Sequence, residues 1–520
     1  MRSNASGKAR DTLVVIGLAV VWLGAAGWAR PLMLPDEGRY VGVAWEMLRS
    51  GEWTTPTLNG LPYFHKPPLF YWLTALSLSA LGLNEWAARI APLIGGTAGV
   101  AALYLFSRRW LDERSARIAV AALLFQPLYF VAAQFANMDM LVAGGLTATI
   151  LWLAHCALAL EAGLSVRWHI RGAYAVAAMT MLSKGLIAFV IPALVIGSWL
   201  VTRGKWKVMM GLWSWSGALV LLAIAAPWFV AMQLRYPEFL NYFFLVQHFQ
   251  RFTGSGFNNV RPFWFYPAIM LVVMLPWLPW LMGFGVKQVF EKSQRARIVG
   301  LLWIWAFVVV IFFSIPRSKL IGYILPALPP LALIATVGVT TRLGAAQVRT
   351  RLWHASLVLG AFLGLSAVSY VILHPRDSSR ELGRTLAAFH RADEPVFMIS
   401  GYRFDLPFYA RLTVPVAVVD DWSSGEVARR DNWRKELADA AHFGQAQQAS
   451  VLIEPKDFPA ALCRSPVNWV VGSEGSLKQM PMQADATAVF NVRGLTLWRV
   501  VVSNEGQCSQ GTPNGGSMHK

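Results

Sequence analysis

Apolar runs long enough to cross a bilayer recur along the first three quarters of this chain. A hydrocarbon core of about 30 Å takes roughly 20 apolar residues as a helix. Candidate spans are 12–32, 86–107, 116–136, 140–160, 172–184, 186–202, 208–231, 263–286, 298–315, 320–340 and 352–373. The run Leu69 to Leu83 is shorter, starts at Pro67-Pro68 and carries Phe70, Tyr71 and Trp72, which suits a helix lying at the interface. Tyr40, Val43, Ala44, Met47 and Leu48 recur at helical spacing, so Arg39 to Arg49 reads as a second juxtamembrane helix. Past His374 the pattern changes. Short β-rich runs at Pro395–Ile399, Val414–Val419, Ser450–Ile453, Trp469–Val471 and Leu495–Val502 alternate with helical stretches at Ser379–Arg391 and Glu426–Ala441, which predicts a small α/β domain. The expected fold is therefore an all-α polytopic membrane domain over 1–375 with a catalytic external loop at 33–85. A C-terminal α/β domain over 376–505 and a disordered Gly/Pro/Asn/Ser tail over 506–520 follow.

Composition strengthens the membrane reading. Apolar residues make up 56 % and charged residues only 14 %, against roughly 25 % charged in soluble domains; the mean hydropathy is +0.45. The 24 Trp suit aromatic belts at membrane interfaces. The first apolar run, Thr12 to Ala29, lacks a small-residue cleavage site before Arg30-Pro31, so it reads as an uncleaved span. A net charge of +18 raises nucleic acid as a partner, but the basic residues fall in short loops and no aromatic-basic nucleic-acid motif accompanies them. They cluster at alternate loops: Arg108/Arg109/Arg114/Arg117, Arg167/Arg171, Arg203/Lys205/Lys207, Lys287/Lys292/Arg295/Arg297 and Arg342/Arg349/Arg351. The positive-inside bias makes all five cytoplasmic. With an odd number of spans the C-terminal domain falls outside, where Cys463 and Cys508 can pair; Cys156 sits in an apolar run as a core residue.

The remaining polar residues fall on the opposite, external side. The first external loop holds Asp36, Glu37, Arg39, Glu46, Tyr63, His65 and Lys66; later turns hold Asp139, Lys184, His248, Arg251, Arg317, Lys319 and Tyr323. Acids and bases so sited are costly unless they face a cavity or one another. Lys66, Lys184, Arg317 and Lys319 have the alternative of snorkelling to headgroups, and Glu46 reads as solvating the outer face of its helix. Clustered cations at a membrane surface suit a phosphate headgroup, and an acid nearby suits a general base or stabilises positive charge at a sugar carbon. No Walker A loop is present, so the energy must come from an activated donor. No internal repeat or inverted pair of broken helices marks a lipid-phosphate transporter or flippase, the rival class.

The order D-E-G-R-Y, L-N-G-L-P-Y-F-H-K-P-P-L-F-Y-W, N-M-D, S-K-G, Q-H-F-Q-R-F, P-F-W-F-Y-P and P-R-S-K-L-I-G-Y-I-L-P-A-L-P-P-L-A resembles the bacterial lipid A aminoarabinose transferases. These belong to the protein O-mannosyltransferase-like C-type membrane glycosyltransferases. The match runs from about residue 30 to 340. It implies a membrane part with up to thirteen spans and a periplasmic α/β domain. It also implies transfer of 4-amino-4-deoxy-L-arabinose from undecaprenyl phosphate to lipid A at the periplasmic face of the inner membrane. On that resemblance Asp36, Glu37 and Asp139 are the catalytic acids. Arg39, Tyr63, Lys66, Lys184, Arg251, Arg317, Lys319 and Tyr323 are substrate-binding candidates. In one departure His65 stands where the family typically has Glu, a residue associated with a metal and with the His matching His248. A His65–His248 pair offers zinc two imidazoles, and the change also opens the choice of donor sugar. The nearest rival keeps the reaction and changes sugar or acceptor, another envelope glycan or a protein.

Overall fold

The computed structural model describes residues 2–250, 258–281, 293–342, 347–375, 378–478 and 485–502. Arg251, Cys508 and the tail lie outside them, as does the side chain of His248. The chain divides into two compact units, Met1–Arg30 with Phe64–Pro375, and Pro31–Tyr63 with Arg376–Lys520.

The first unit is helical. Six helices among the described residues are long and apolar enough to cross a bilayer: Ile90–Trp110, Met138–Glu161, Trp215–Arg235, Gln294–Ser314, Ile321–Thr341 and Thr350–Leu373. The chain is a multi-pass membrane protein. Trp215–Arg235 and Thr350–Leu373 bury only 28 % and 22 % of their apolar windows, so most of each surface is left for lipid. Leu69–Leu81 and Ile187–Thr202 are shorter apolar helices.

The expected continuous span at 116–136 is instead two helices, Glu113–Leu124 and Pro127–Ala133, bent by 68°. Pro127 opens the second at a position where its missing N–H costs nothing, and Gln126 caps it by accepting from Tyr129 N–H at 2.7 Å. The expected span at 208–231 likewise opens with a separate helix, Trp206–Leu212. Ser214 then caps Trp215–Arg235.

The second unit contains a six-stranded sheet. Its strands are β3 (Val396–Ile399), β4 (Ala417–Val419), β5 (Leu452–Ile453), β6 (Val467–Gly472), β7 (Asp485–Val492) and β8 (Leu495–Val501), in the order β5-β4-β3-β6-β8-β7. β5, β4, β3 and β6 are parallel, while β8 and β7 add antiparallel. Phe397, Val419, Phe458, Val470 and Val500 fill the core on one face. The expected helix at Glu426–Ala441 is broken into Gly425–Arg429 and Trp433–Phe443, because Asn432 caps the second by accepting from the N–H groups of Arg434 and Lys435. Cys463 is disulfide-bonded and Cys156 is free.

The loop 31–63 builds the rest of this unit. Asp36–Ser50 is the predicted helix, with both acids in its first turn and Gly51 closing its end at φ 71°. A small hairpin, β1 (Thr57–Leu58) and β2 (Leu61–Pro62), follows. Glu46 overturns its expected solvating role: it is 3 % exposed. Its carboxylate accepts from Asn59 N–H at 2.6 Å, Thr57 Oγ1 at 2.8 Å and Gly60 N–H at 2.9 Å, so it fastens the hairpin to the helix. Burial raises the Glu46 carboxyl's pKa, against the pull of Arg49 and these donors.

Candidate active site

Asp36 opens its helix and is 29 % exposed. Arg39, one turn on, donates Nη2 to Asp36 Oδ1 and Nη1 to Glu436 Oε1. Tyr63 Oη donates to Glu436 Oε2 at 3.4 Å, and the guanidinium lies over the rings of Tyr40 and Phe404 at 5.2 and 5.7 Å. Burial alone would lower the pKa of Arg39. The carboxylate of Glu436 first, then Tyr63, Tyr40 and Asp36, hold it well above its ordinary value. The cation is thus fixed between two carboxylates, and the less buried one, Asp36, is aimed by it. Glu37 is fully buried, and its Oε2 accepts from Met33 N–H at 2.9 Å, bracing the entry to the helix.

In the membrane unit Asp139 stands in the first turn of Met138–Glu161, where the helix end favours a carboxylate. Asn137 Oδ1 accepts from Asp139 N–H at 3.0 Å. Lys184 Nζ donates to Asp139 Oδ1, with side chains 15 % and 10 % exposed, and lies 4.2 Å from the centroid of the Tyr323 ring. A Cβ on Gly322 would collide with the Asp139 carboxylate, so the glycine makes room for it. Three residues 45 and more positions apart in sequence therefore form one cluster.

The other candidates have different surroundings. Residues 316–319 are zipped to 258–261: Arg261 N–H donates to Arg317 O, Lys319 N–H to Asn259 O, both at 3.0 Å. Lys319 is buried, and its Nζ donates to the carbonyls of Pro316 and Arg261; burial lowers its pKa. Arg317 is exposed and Lys66 half-buried. His65 is buried with its ring 6.1 Å from that of Tyr242. Among the described residues no three His, Cys, Asp or Glu are grouped to hold a metal ion. Zinc would rest on His65 and on His248, whose ring is outside the described side chains.

Residues 65–231 match the family described as dolichyl-phosphate-mannose-protein mannosyltransferase. The chain is similar to the crystal structure of ArnT from Cupriavidus metallidurans bound to undecaprenyl phosphate. The TM-score is 0.80 over 94 % of this chain and 97 % of that one, at 23 % identity. The chain has the ArnT fold. Curated relatives agree with this likeness and with the motifs. The undecaprenyl phosphate-α-4-amino-4-deoxy-L-arabinose arabinosyl transferase of Pseudomonas aeruginosa is 33 % identical over 353 residues, 66 % of this chain and 62 % of that protein. The protein of the same description from Serratia proteamaculans is 30 % identical over 370 residues, 69 % of this chain and 64 % of the relative. The chain thus spans less than two thirds of these relatives' length.

Glu436 and Gly322 join these clusters without any motif in the sequence to mark these roles. Glu436 lies 397 positions from Arg39. The only local signal was an acid on the buried face of its helix, beside Leu437, Ala440 and Ala441.

Proposed function

We propose that this chain is a lipid-carrier glycosyltransferase that moves 4-amino-4-deoxy-L-arabinose from undecaprenyl phosphate to a phosphate of lipid A. The reaction would run at the periplasmic face of the inner membrane. The observation that carries the reading is the Asp36–Arg39–Glu436 arrangement, a partly exposed carboxylate aimed by a buried, doubly paired guanidinium. The similarity to the aminoarabinose transferases supports the choice of donor and acceptor. The acceptor phosphate is already an anion, so it attacks the sugar's anomeric carbon without losing a proton. The new C–O bond forms as the bond to the carrier phosphate breaks, and undecaprenyl phosphate leaves with the electron pair. Asp36 opposes the positive charge that develops at the sugar carbon. Glu37 holds the turn that presents it.

Cations stabilise the departing phosphate. Lys184 is the strongest candidate in the membrane unit, since Asp139 and the Tyr323 ring orient it. Lys66, Arg251 and Arg317 are further candidates. The carbonyls around Lys319 give that residue a bracing role in the 316–319 turn. Zinc on His65 and His248 would be a Lewis acid beside a phosphate, and zinc content before and after His248→Ala tests that assignment.

The reaction is tested in purified protein with the lipid-linked sugar and lipid A, read by mass spectrometry. Asp36→Asn is expected to cut transfer roughly 100-fold or more while carrier binding persists. Full transfer by that variant would sink the catalytic assignment. An unchanged lipid A mass with wild-type protein would turn the proposal to another acceptor.

A further inference from the structure

The parallel half of the sheet changes direction at β3. From β3 the chain runs to β4 and β5 on one flank, then returns to lay β6 on the other. At such a switch point the loops leaving neighbouring strands part, and a crevice opens at their carboxyl ends. Here the crevice is a cavity of about 340 Å³ lined by the ends of β3 and β6, within the roughly 300–1,000 Å³ of small-ligand sites.

Its lining has a definite chemistry. Ser400, Gly401 and Arg403 follow β3, Ser473 and Ser476 follow β6, and Trp433 closes one side. Among the described residues no Asp or Glu lines it. Arg403 is half-buried, and its charge acts on the buried carboxyl of Asp405, two residues on. Ser400 is held at φ 54°, a costly conformation for a residue with a Cβ, by its N–H bond to Val419 O at 2.9 Å. Beyond that turn nothing lies within 4 Å of where a Gly401 Cβ would stand, so the backbone there is open to a ligand. The Ser473 and Ser476 hydroxyls are 2.7 Å apart. The Trp433 ring is half-buried and braced edge-on by Trp422 at 5.9 Å.

We propose that this crevice binds a phosphorylated sugar, the saccharide headgroup of the acceptor. A half-buried guanidinium at the rim suits a phosphate in two-pronged geometry. The hydroxyls and open backbone suit sugar hydroxyls, and an indole offers an apolar surface to a ring face. The lack of acids among the described lining residues disfavours a cationic ligand. The position fits as well: Leu34 and Pro35 of the lining directly precede Asp36, and Trp433 stands one helical turn from Glu436, which holds Arg39.

This assignment rests on the proposed transfer reaction, but its test separates the two. Titrate the full-length protein in detergent with glucosamine 1-phosphate by calorimetry. Wild type is expected to bind saturably, and glucosamine without phosphate more weakly. Arg403→Gln should weaken binding about tenfold or more, with Ser476→Phe, which fills the crevice from its rim, as a second variant. Asp36→Asn should bind as wild type does. In the transfer assay Arg403→Gln should raise KM for lipid A with kcat unchanged. Absence of saturable binding to wild type overturns the site. Arg403-dependent binding with an unaltered KM for lipid A upholds a sugar-phosphate site and overturns its role in holding the acceptor. Normal transfer with an Arg403→Gln variant that binds as wild type leaves the reaction standing and removes the crevice. Binding without any transfer by wild type does the reverse.

Discussion

At the scale of single residues, the position of Asp36, the proposed catalytic acid, depends on a second acid. Glu436 takes one prong of the Arg39 guanidinium and leaves the other for Asp36. Glu436→Gln weakens that anchor, and Arg39 swings with Asp36 instead of aiming it. The expected outcome is a fall in kcat of about 10- to 100-fold with KM for the donor little changed, measured beside Asp36→Asn as the floor. Asp405 gives a separate, pH-dependent prediction. Burial raises its carboxyl to about 6, against the Ser379 N–H at 2.7 Å and the Ser378 hydroxyl at 3.1 Å. A carboxyl raised in the fold binds protons there that the unfolded chain has released. Its contribution is therefore present below the ordinary carboxylate range and lost as pH rises through about 6. Asp405→Asn removes the buried charge. The variant should gain on the order of 2 kcal/mol over wild type at pH 7.5, and the gap should close near pH 4 in thermal melts. Residue types singled out Asp36, Arg39, Asp139 and Lys184 as candidates, because acids and cations beside apolar helices are costly, but the pairing of Lys184 with Asp139 is visible only in the fold. Glu436 was illegible since its partner is distant in sequence.

Elements were legible where burial imposes a period and illegible where local capping decides. The long apolar helices stand close to their predicted bounds, because a bilayer demands length and hydrophobicity and the chain shows both. Pro127 and Asn432 break predicted single helices, since a start signal inside a periodic stretch outranks the period. The strand β7 was missed because it is exposed at most positions, leaving no alternation to read; it exists by pairing with β8. The expected strand at 450–453 shrank to β5 because the Gln/Ala-rich segment Gln445–Val451 is helical. Packing between helices follows the same logic of local necessity. Gly144 presses on Gly95 so closely that a Cβ on Gly144 would overlap the Gly95 carbonyl, the small-residue contact by which membrane helices approach. Gly144→Ala forces Ile90–Trp110 and Met138–Glu161 apart. A loss of about 1–3 kcal/mol is expected, seen as a lower melting temperature in detergent, while Gly197→Ala, whose Cβ meets nothing within 4 Å, should melt as wild type.

Over the whole membrane unit, charge alone foretold which helix ends share a face, and the contacts give the reason. Arg108 donates to Lys8 O at 2.9 Å, Gln294 to Trp110 O at 2.8 Å, and Arg295 to Thr340 Oγ1. Glu161 accepts from Arg203 at 2.7 Å and Arg297 at 3.1 Å. These bonds draw the N-terminus, the 108–114 and 203–207 loops and the ends at 161, 295 and 340 to one face. Asp139, Lys184 and Tyr323 occupy the opposite ends of the helices that carry or adjoin those residues. Met138–Glu161, with 24 residues, spans about 36 Å, so Asp139 and Glu161 stand a membrane apart. On the proposed orientation, with the basic loops retained on the cytoplasmic side, the Asp139–Lys184 cluster would face the far side. Single cysteines at the two faces make the argument measurable. In intact cells a membrane-impermeant maleimide that passes the outer membrane should label Arg317→Cys, while Lys205→Cys should label only after the inner membrane is opened. Labelling of Lys205→Cys in intact cells would invert the orientation, and with it the claim that the sugar is transferred outside the cytoplasm.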